Sequence, residues 1–232
     1  MKNFRKLYVI IALTQLLVFI PACNKDDTDA PATAIKDADG NVYSSVTIGT
    51  QTWLKENLMT TKYLNGDLIG TTTPSDLDIT SELTAEYQWA YEGNEGNVST
   101  YGRLYTWYAA TDSRKVCPAG WHVPTDEEWT TLTTYLGGEG IAGGKLKETG
   151  TIHWSDPNTG ATNETNFTAV PTGDRFYNGV SEGVGIRSNM WSSTEQNPIN
   201  GYVRSVVYIN TECIKTFPVN KRCGLPVRCI KD

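Results

Sequence analysis

Sulfur or imidazole chemistry in this chain of 232 residues would have to draw on five cysteines and two histidines. The densest cluster is Cys117-Pro-Ala-Gly-Trp-His122-Val-Pro-Thr125-Asp126-Glu127-Glu128-Trp129. A thiolate beside a histidine could be a nucleophile, and Asp126 with Glu128 could share acid–base work. The spacing argues otherwise. Thr125 stands three positions before Glu128, a capping box in which each side chain satisfies an orphan amide at a helix start. Asp126 and Glu127 complement the positive end of the helix dipole. Trp129, Leu132, Tyr135 and Leu136 then form an apolar stripe, and Gly137 and Gly138 stop the helix. The cluster therefore reads as a helix start and no catalytic residue is assigned. His122 reads as a packed, hydrogen-bonded ring, and His153 falls in a loop beside Trp154. Ser188, Ser192 and Ser193 have no nucleophile-elbow motif around them.

At the N-terminus, Lys2, Arg5 and Lys6 precede an apolar run from Leu7 to Ile20 and then Pro21-Ala22-Cys23. A basic start, a short apolar core and a small residue before a break form a secretory signal rather than a transmembrane span. "IPAC" resembles the lipobox of bacterial lipoproteins, which implies acylation (palmitate among the chains) of Cys23 as the mature N-terminus. "NKDD" after it resembles the surface-export signal of Bacteroidetes lipoproteins. The expected place is the bacterial outer membrane, lipid-anchored and exposed at the cell surface. Residues 1–22 read as the signal peptide, 23–36 as a polar tether and 37–232 as a single domain.

Four further cysteines in an exported chain suggest two disulfide bonds with three connectivities. Cys223 and Cys229 flank the strand-like "GLPVR", so a bridge between them would need a tight reversal. Cys213–Cys223 would close a hairpin, and Cys117–Cys229 would tie the middle of the chain to its end. A zinc site would need paired cysteines at metal spacing or histidine partners, and has neither.

Abundant Trp, Tyr, Gly and Thr favour short strands and turns. The net charge of −6 argues against a nucleic-acid partner, which wants a basic stripe. "NVYSSVTI" and "QTWLKENL", separated at Gly49, predict a hairpin. "DADGN" lacks the glycine and glutamate offsets of a calcium loop and reads as a turn. Residues 66–100 form a long connection with fragments of structure. Leu104, Trp107 and Tyr108 predict a helix of two to three turns within 101–116. Gly138, Gly140 and Gly143 match the dinucleotide fingerprint formally but follow a helix rather than a strand, so 137–150 reads as a flexible loop. The remainder from Phe167 reads as β, with "YVRSVVYI" and "GLPVRCI" as strands and "NPING" as a turn.

The ordered motifs "DADGNVYSSVTIGTQTWLKENLMT", "YGRLYTWYAA", "CPAGWHVPTDEEW", "MWSSTE" and "GLPVRCIKD" resemble the Fibrobacter succinogenes major paralogous domain across residues 37 to 232. That resemblance implies an exported bacterial protein, often a lipoprotein, with no defined biochemistry. A more distant resemblance is to the C-type lectin-like fold and its formylglycine-generating branch, whose "LPTEAEWE" helix is similar to "HVPTDEEW". It implies an α+β fold of twisted antiparallel sheets with two short helices and long loops, and the pairing of Cys117 with Cys229, leaving Cys213 with Cys223.

The sugar-binding triplets of calcium-dependent lectins are not reproduced. Glu195, Asn197 and Asn200 could offer oxygens to Ca²⁺, but a turn after "WSSTE" explains them, so no cofactor or metal is assigned. The expected function is a surface-anchored binding module for a glycan or a protein partner. Tyr177, Trp191, Glu195, Asn197, Asn200 and Tyr202 are the candidate contacts, since aromatic rings stack on sugars and loops carry sites. One alternative is an oxidase of the formylglycine-generating type using Cys223 and Cys229. Another is a structural component of a surface assembly.

Overall fold

The structure, a computed structural model, describes residues 34–232. The predicted signal peptide, the Cys23 lipidation site and most of the tether lie outside the described residues. The predicted tether overruns the folded part, because Ile35–Lys36 already pairs antiparallel with Val42–Tyr43. Asp37 holds the intervening turn together: its carboxylate accepts from the Asp39 and Asn41 amides and from the Tyr43 hydroxyl.

The predicted hairpin forms from Ser45–Ile48 and Gln51–Leu54, with Val46 opposite Trp53. Ile230 then pairs with Trp53 on one side and His122 on the other. One four-stranded sheet thus joins the first hairpin, the last strand and Trp121–His122. A second sheet is built on Arg187–Glu195 and Asn200–Val207, with Cys213–Lys215 and Val219–Asn220 both pairing to the latter strand. A third aligns Leu225–Pro226, Leu104–Tyr105 and Gln88–Trp89, and Thr172–Arg175 pairs with Ser181–Val184. Every strand pair named is antiparallel, so the class is α+β as expected. Residues 66–100 are mostly irregular.

Thr125 caps the Asp126–Tyr135 helix as predicted. Its Oγ1 accepts from the Glu128 amide at 3.2 Å, and Glu128 Oε2 accepts from the Thr125 amide at 2.7 Å. Trp129, Leu132 and Leu136 are buried, but Tyr135 is 65% exposed. Its ring instead covers Gly49 in the hairpin turn.

Two predicted elements are corrected. Leu104–Tyr105 is a strand, and only Trp107–Ala110 is helical; cross-strand bonds to Gln88–Trp89 and Leu225–Pro226 outcompete the local periodicity. The glycine-rich stretch is also no loop: Glu139–Leu146 is a helix. Its glycines serve packing, since a Cβ on Gly143 would lie 1.9 Å from the Glu212 carbonyl oxygen.

The core has two main parts. One surrounds the Cys117–Cys229 bond with Tyr105, Trp121, Trp191 and Leu225. The other gathers Trp53, Trp129, Trp154 and Phe167, with Trp53 and Trp129 rings 4.6 Å apart.

Candidate functional site

A cleft of about 680 Å³ opens beside the disulfide bond. Three local structures build it. The Trp107–Ala110 turn is capped by Thr106, whose Oγ1 accepts from the Ala109 amide. Trp107 is pinned in turn by Nε1 donating to the Ser192 carbonyl at 3.0 Å. The loop 111–117 folds back through a tight turn in which Lys115 adopts φ +60° and its amide donates to the Asp112 carbonyl. Trp121 and His122 are held by pairing with Lys231 and Ile230. The lining is apolar along Trp107, Trp121, Val116 and the disulfide, and polar at Ser113, Lys115, His122 and Ser193.

The electrostatics of the rim are largely settled within the protein. The Arg114 guanidinium bonded to Asp112 holds that carboxyl below its usual range, and Arg114 also reaches Glu86 at 2.5 Å. The His122 ring lies between Asp232, 2.7 Å from Nδ1, and Glu128, 2.9 Å from Nε2. Burial alone would lower the histidine pKa, but the two carboxylates outweigh it and raise it. A hydrogen-bonded ring was expected, and its second partner, Asp232, is supplied by the sheet register. Cys117 is spent in the disulfide, so it is no free thiol, and the cleft offers apolar walls and hydrogen-bonding groups.

The six predicted contact residues are not brought to one place, and none lines this cleft. Trp191 is a core residue with no exposure, its Nε1 donating to the Tyr105 carbonyl at 2.7 Å. Glu195, Asn197 and Asn200 share the turn between the two long strands. Glu195 pairs with Lys221 at 2.8 Å. Asn197 Oδ1 accepts from the Ile199 and Asn200 amides at 2.9 Å, so these oxygens already serve the turn. Tyr202 lies under Lys215, which also bonds Asp126. Tyr177 lies under Arg222 and packs on the Ile79–Ala85–Trp89 cluster.

The sulfur expectation divides. Cys117 bonds Cys229 across 112 residues, whereas Cys213 and Cys223 are buried free thiols rather than a second bridge. The hairpin that would unite them does not form. Cys213 faces Val206 and Val219 faces Gly201 on the same central strand, five positions apart or about 16 Å at strand rise. Burial pushes the thiols up to about 12 for Cys213 and about 11 for Cys223, far from a reactive thiolate. The Cys223–Cys229 redox pair of the oxidase reading is not assembled, since Cys229 is bonded elsewhere.

Sequence reasoning missed Trp107 and Trp121 as cleft walls; tryptophans on both sides of Cys117 were the available signal. It also missed fully buried cations. Lys147 Nζ donates to three carbonyls, of Thr159, Val207 and Asn210, and burial lowers it to about 8. Arg204 joins Asp126, Thr130 and Glu139.

A family model described as the Fibrobacter succinogenes major domain matches residues 46–231. No curated protein and no solved structure matches the chain.

Proposed function

We propose that this chain, which belongs to the Fibrobacter succinogenes major domain family, is a surface-anchored lipoprotein whose Trp107–Trp121 cleft binds a glycan. The carrying observation is the cleft itself. The half-buried Trp107 and largely buried Trp121 give its walls apolar edges for a sugar ring to pack against, and Ser113, Lys115, His122 and Ser193 surround it with hydrogen-bonding groups. The cleft volume of about 680 Å³ falls in the ordinary range of small-ligand pockets, ~300–1,000 Å³. Its nearby carboxylates are engaged by Arg114 and His122, which leaves a neutral polyol favoured over a metal-bridged ligand.

The C-type lectin-like reading of the fold belongs to the same proposal. It is supported by the bond that ties Cys117, just ahead of the capped helix, to Cys229 near the final strand. Anchoring rests on "IPAC" and the basic, apolar segment before it. Replacement Cys23→Ser should release the protein from the membrane fraction, and a variant that still fractionates with membrane sinks the anchor.

The binding test is a glycan array run with and without chelator. The expected result is a restricted set of glycans whose signal persists in chelator. Blank arrays in both conditions would refute the glycan reading, and specific capture of a surface protein would then favour the assembly role.

A further inference from the structure

Arg228 is 1% exposed, and its donors are unevenly used. Nε donates to Asn57 Oδ1 at 3.0 Å, and Nη1 donates to the carbonyls of Leu54, Lys55 and Phe167. Nη2 has no acceptor among the described residues, and Arg228 has no ion pair there either. Glu56, in the same cavity lining, acts on Arg228 through its charge but makes no hydrogen bond to it, its oxygens accepting from the amide and hydroxyl of Ser44. A buried guanidinium with no direct ion pair and one nitrogen without a protein acceptor is disfavoured unless a further acceptor reaches it.

Arg228 lines a cavity of about 210 Å³, with Lys55, Glu56, Asn57, Ser99, Thr100 and Thr168 among its neighbours. Ser99 and Thr100 are exposed at its rim. We propose that this cavity is a binding site for a small oxyanion, a carboxylate or a sulfate, held on Arg228 Nη2 with Lys55 and the Ser99 and Thr100 hydroxyls beside it. Two cations against one engaged carboxylate leave the lining net positive. Three neutral carbonyls satisfy Nη1 without discharging it, so the charge stays available to a ligand. Burial holds the Arg228 pKa down at about 9 and the charge of Glu56 offsets this only in part, in keeping with a cation that has no direct ion pair. The cavity shares no lining residue with the Trp107–Trp121 cleft, so the two sites stand or fall separately.

The test is isothermal titration of the full-length chain in detergent with sodium acetate, sodium glucuronate and sodium sulfate. Glucose and sodium chloride at matched ionic strength are the controls. Saturable binding of at least one oxyanion, absent for both controls, is expected. A preference for glucuronate over acetate would mark a carboxylate borne on a sugar ring, and a preference for sulfate would mark a sulfated group. Ser99→Trp, at an exposed position, should block the mouth and weaken binding at least tenfold while Tm is kept. Arg228→Gln should abolish it; if that variant does not fold, Ser99→Trp still decides. No saturable heat from the wild type with any of the three anions, or equal affinity in Ser99→Trp, overturns the proposal.

Discussion

His122 joins two distant parts of the chain through single hydrogen bonds, one to the helix start at Glu128 and one to Asp232 beside the last strand. The protonated ring donates to both. Its folded-state pKa is raised above the ordinary value, so its contribution to stability is fully present below about pH 6.5 and is lost as pH rises through the folded value. Urea unfolding of wild type and His122→Asn should therefore show a larger stability difference at pH 5.5 than at pH 8.5. A difference independent of pH would mean the ring is not held by charge. The cysteines make a second residue-scale case. Counting and compartment left the pairing open, and only the fold shows Cys213 and Cys223 as separate buried thiols, the strands Cys213–Lys215 and Val219–Asn220 each pairing with the same central strand rather than with each other. Thiol titration of the unreduced, lipidated protein should find none reactive when native and two when denatured.

Elements divide by how local their causes are. The Asp126–Tyr135 helix was legible because its capping box and stop signal lie within fourteen residues and appear as read. The Glu139–Leu146 helix was not, because its glycines record an approach by residues some seventy positions away. On helix propensity alone, Gly143→Ala would stabilise by about 1 kcal/mol. The added Cβ would collide with the Glu212 carbonyl, and overpacking of this kind costs ~1–3 kcal/mol. The substitution should therefore destabilise by up to ~2 kcal/mol net, measured by denaturant unfolding; a gain in stability would show that the two backbones are not so close. The cleft walls were illegible for the same reason. Trp107 read as part of a longer helix, and its side chain is oriented by the Ser192 carbonyl far along the chain. Buried Lys147 and Arg228 look like surface charges in sequence, since their acceptors are mostly backbone carbonyls brought up by folding, and Arg204 does too, its acceptors lying mostly on a helix start some seventy positions away.

Across the molecule, one covalent tie spans much of the folded part. A disulfide closing a loop of about 100 residues stabilises by up to ~4–5 kcal/mol in the chain-entropy model. Cys117→Ser with Cys229→Ser should lower stability by about 2–5 kcal/mol and loosen the cleft, because the bond forms part of its wall. Loss of the bond without any change in unfolding midpoint would contradict this. The central claim is that the Trp107–Trp121 cleft is where the protein meets its ligand. Isothermal titration of the strongest array glycan against wild type and Ser113→Trp tests it most directly, since Ser113 is an exposed lining residue. Affinity at least tenfold weaker in the variant, with Tm unchanged, is predicted. Equal affinity in the two proteins would place the binding surface elsewhere.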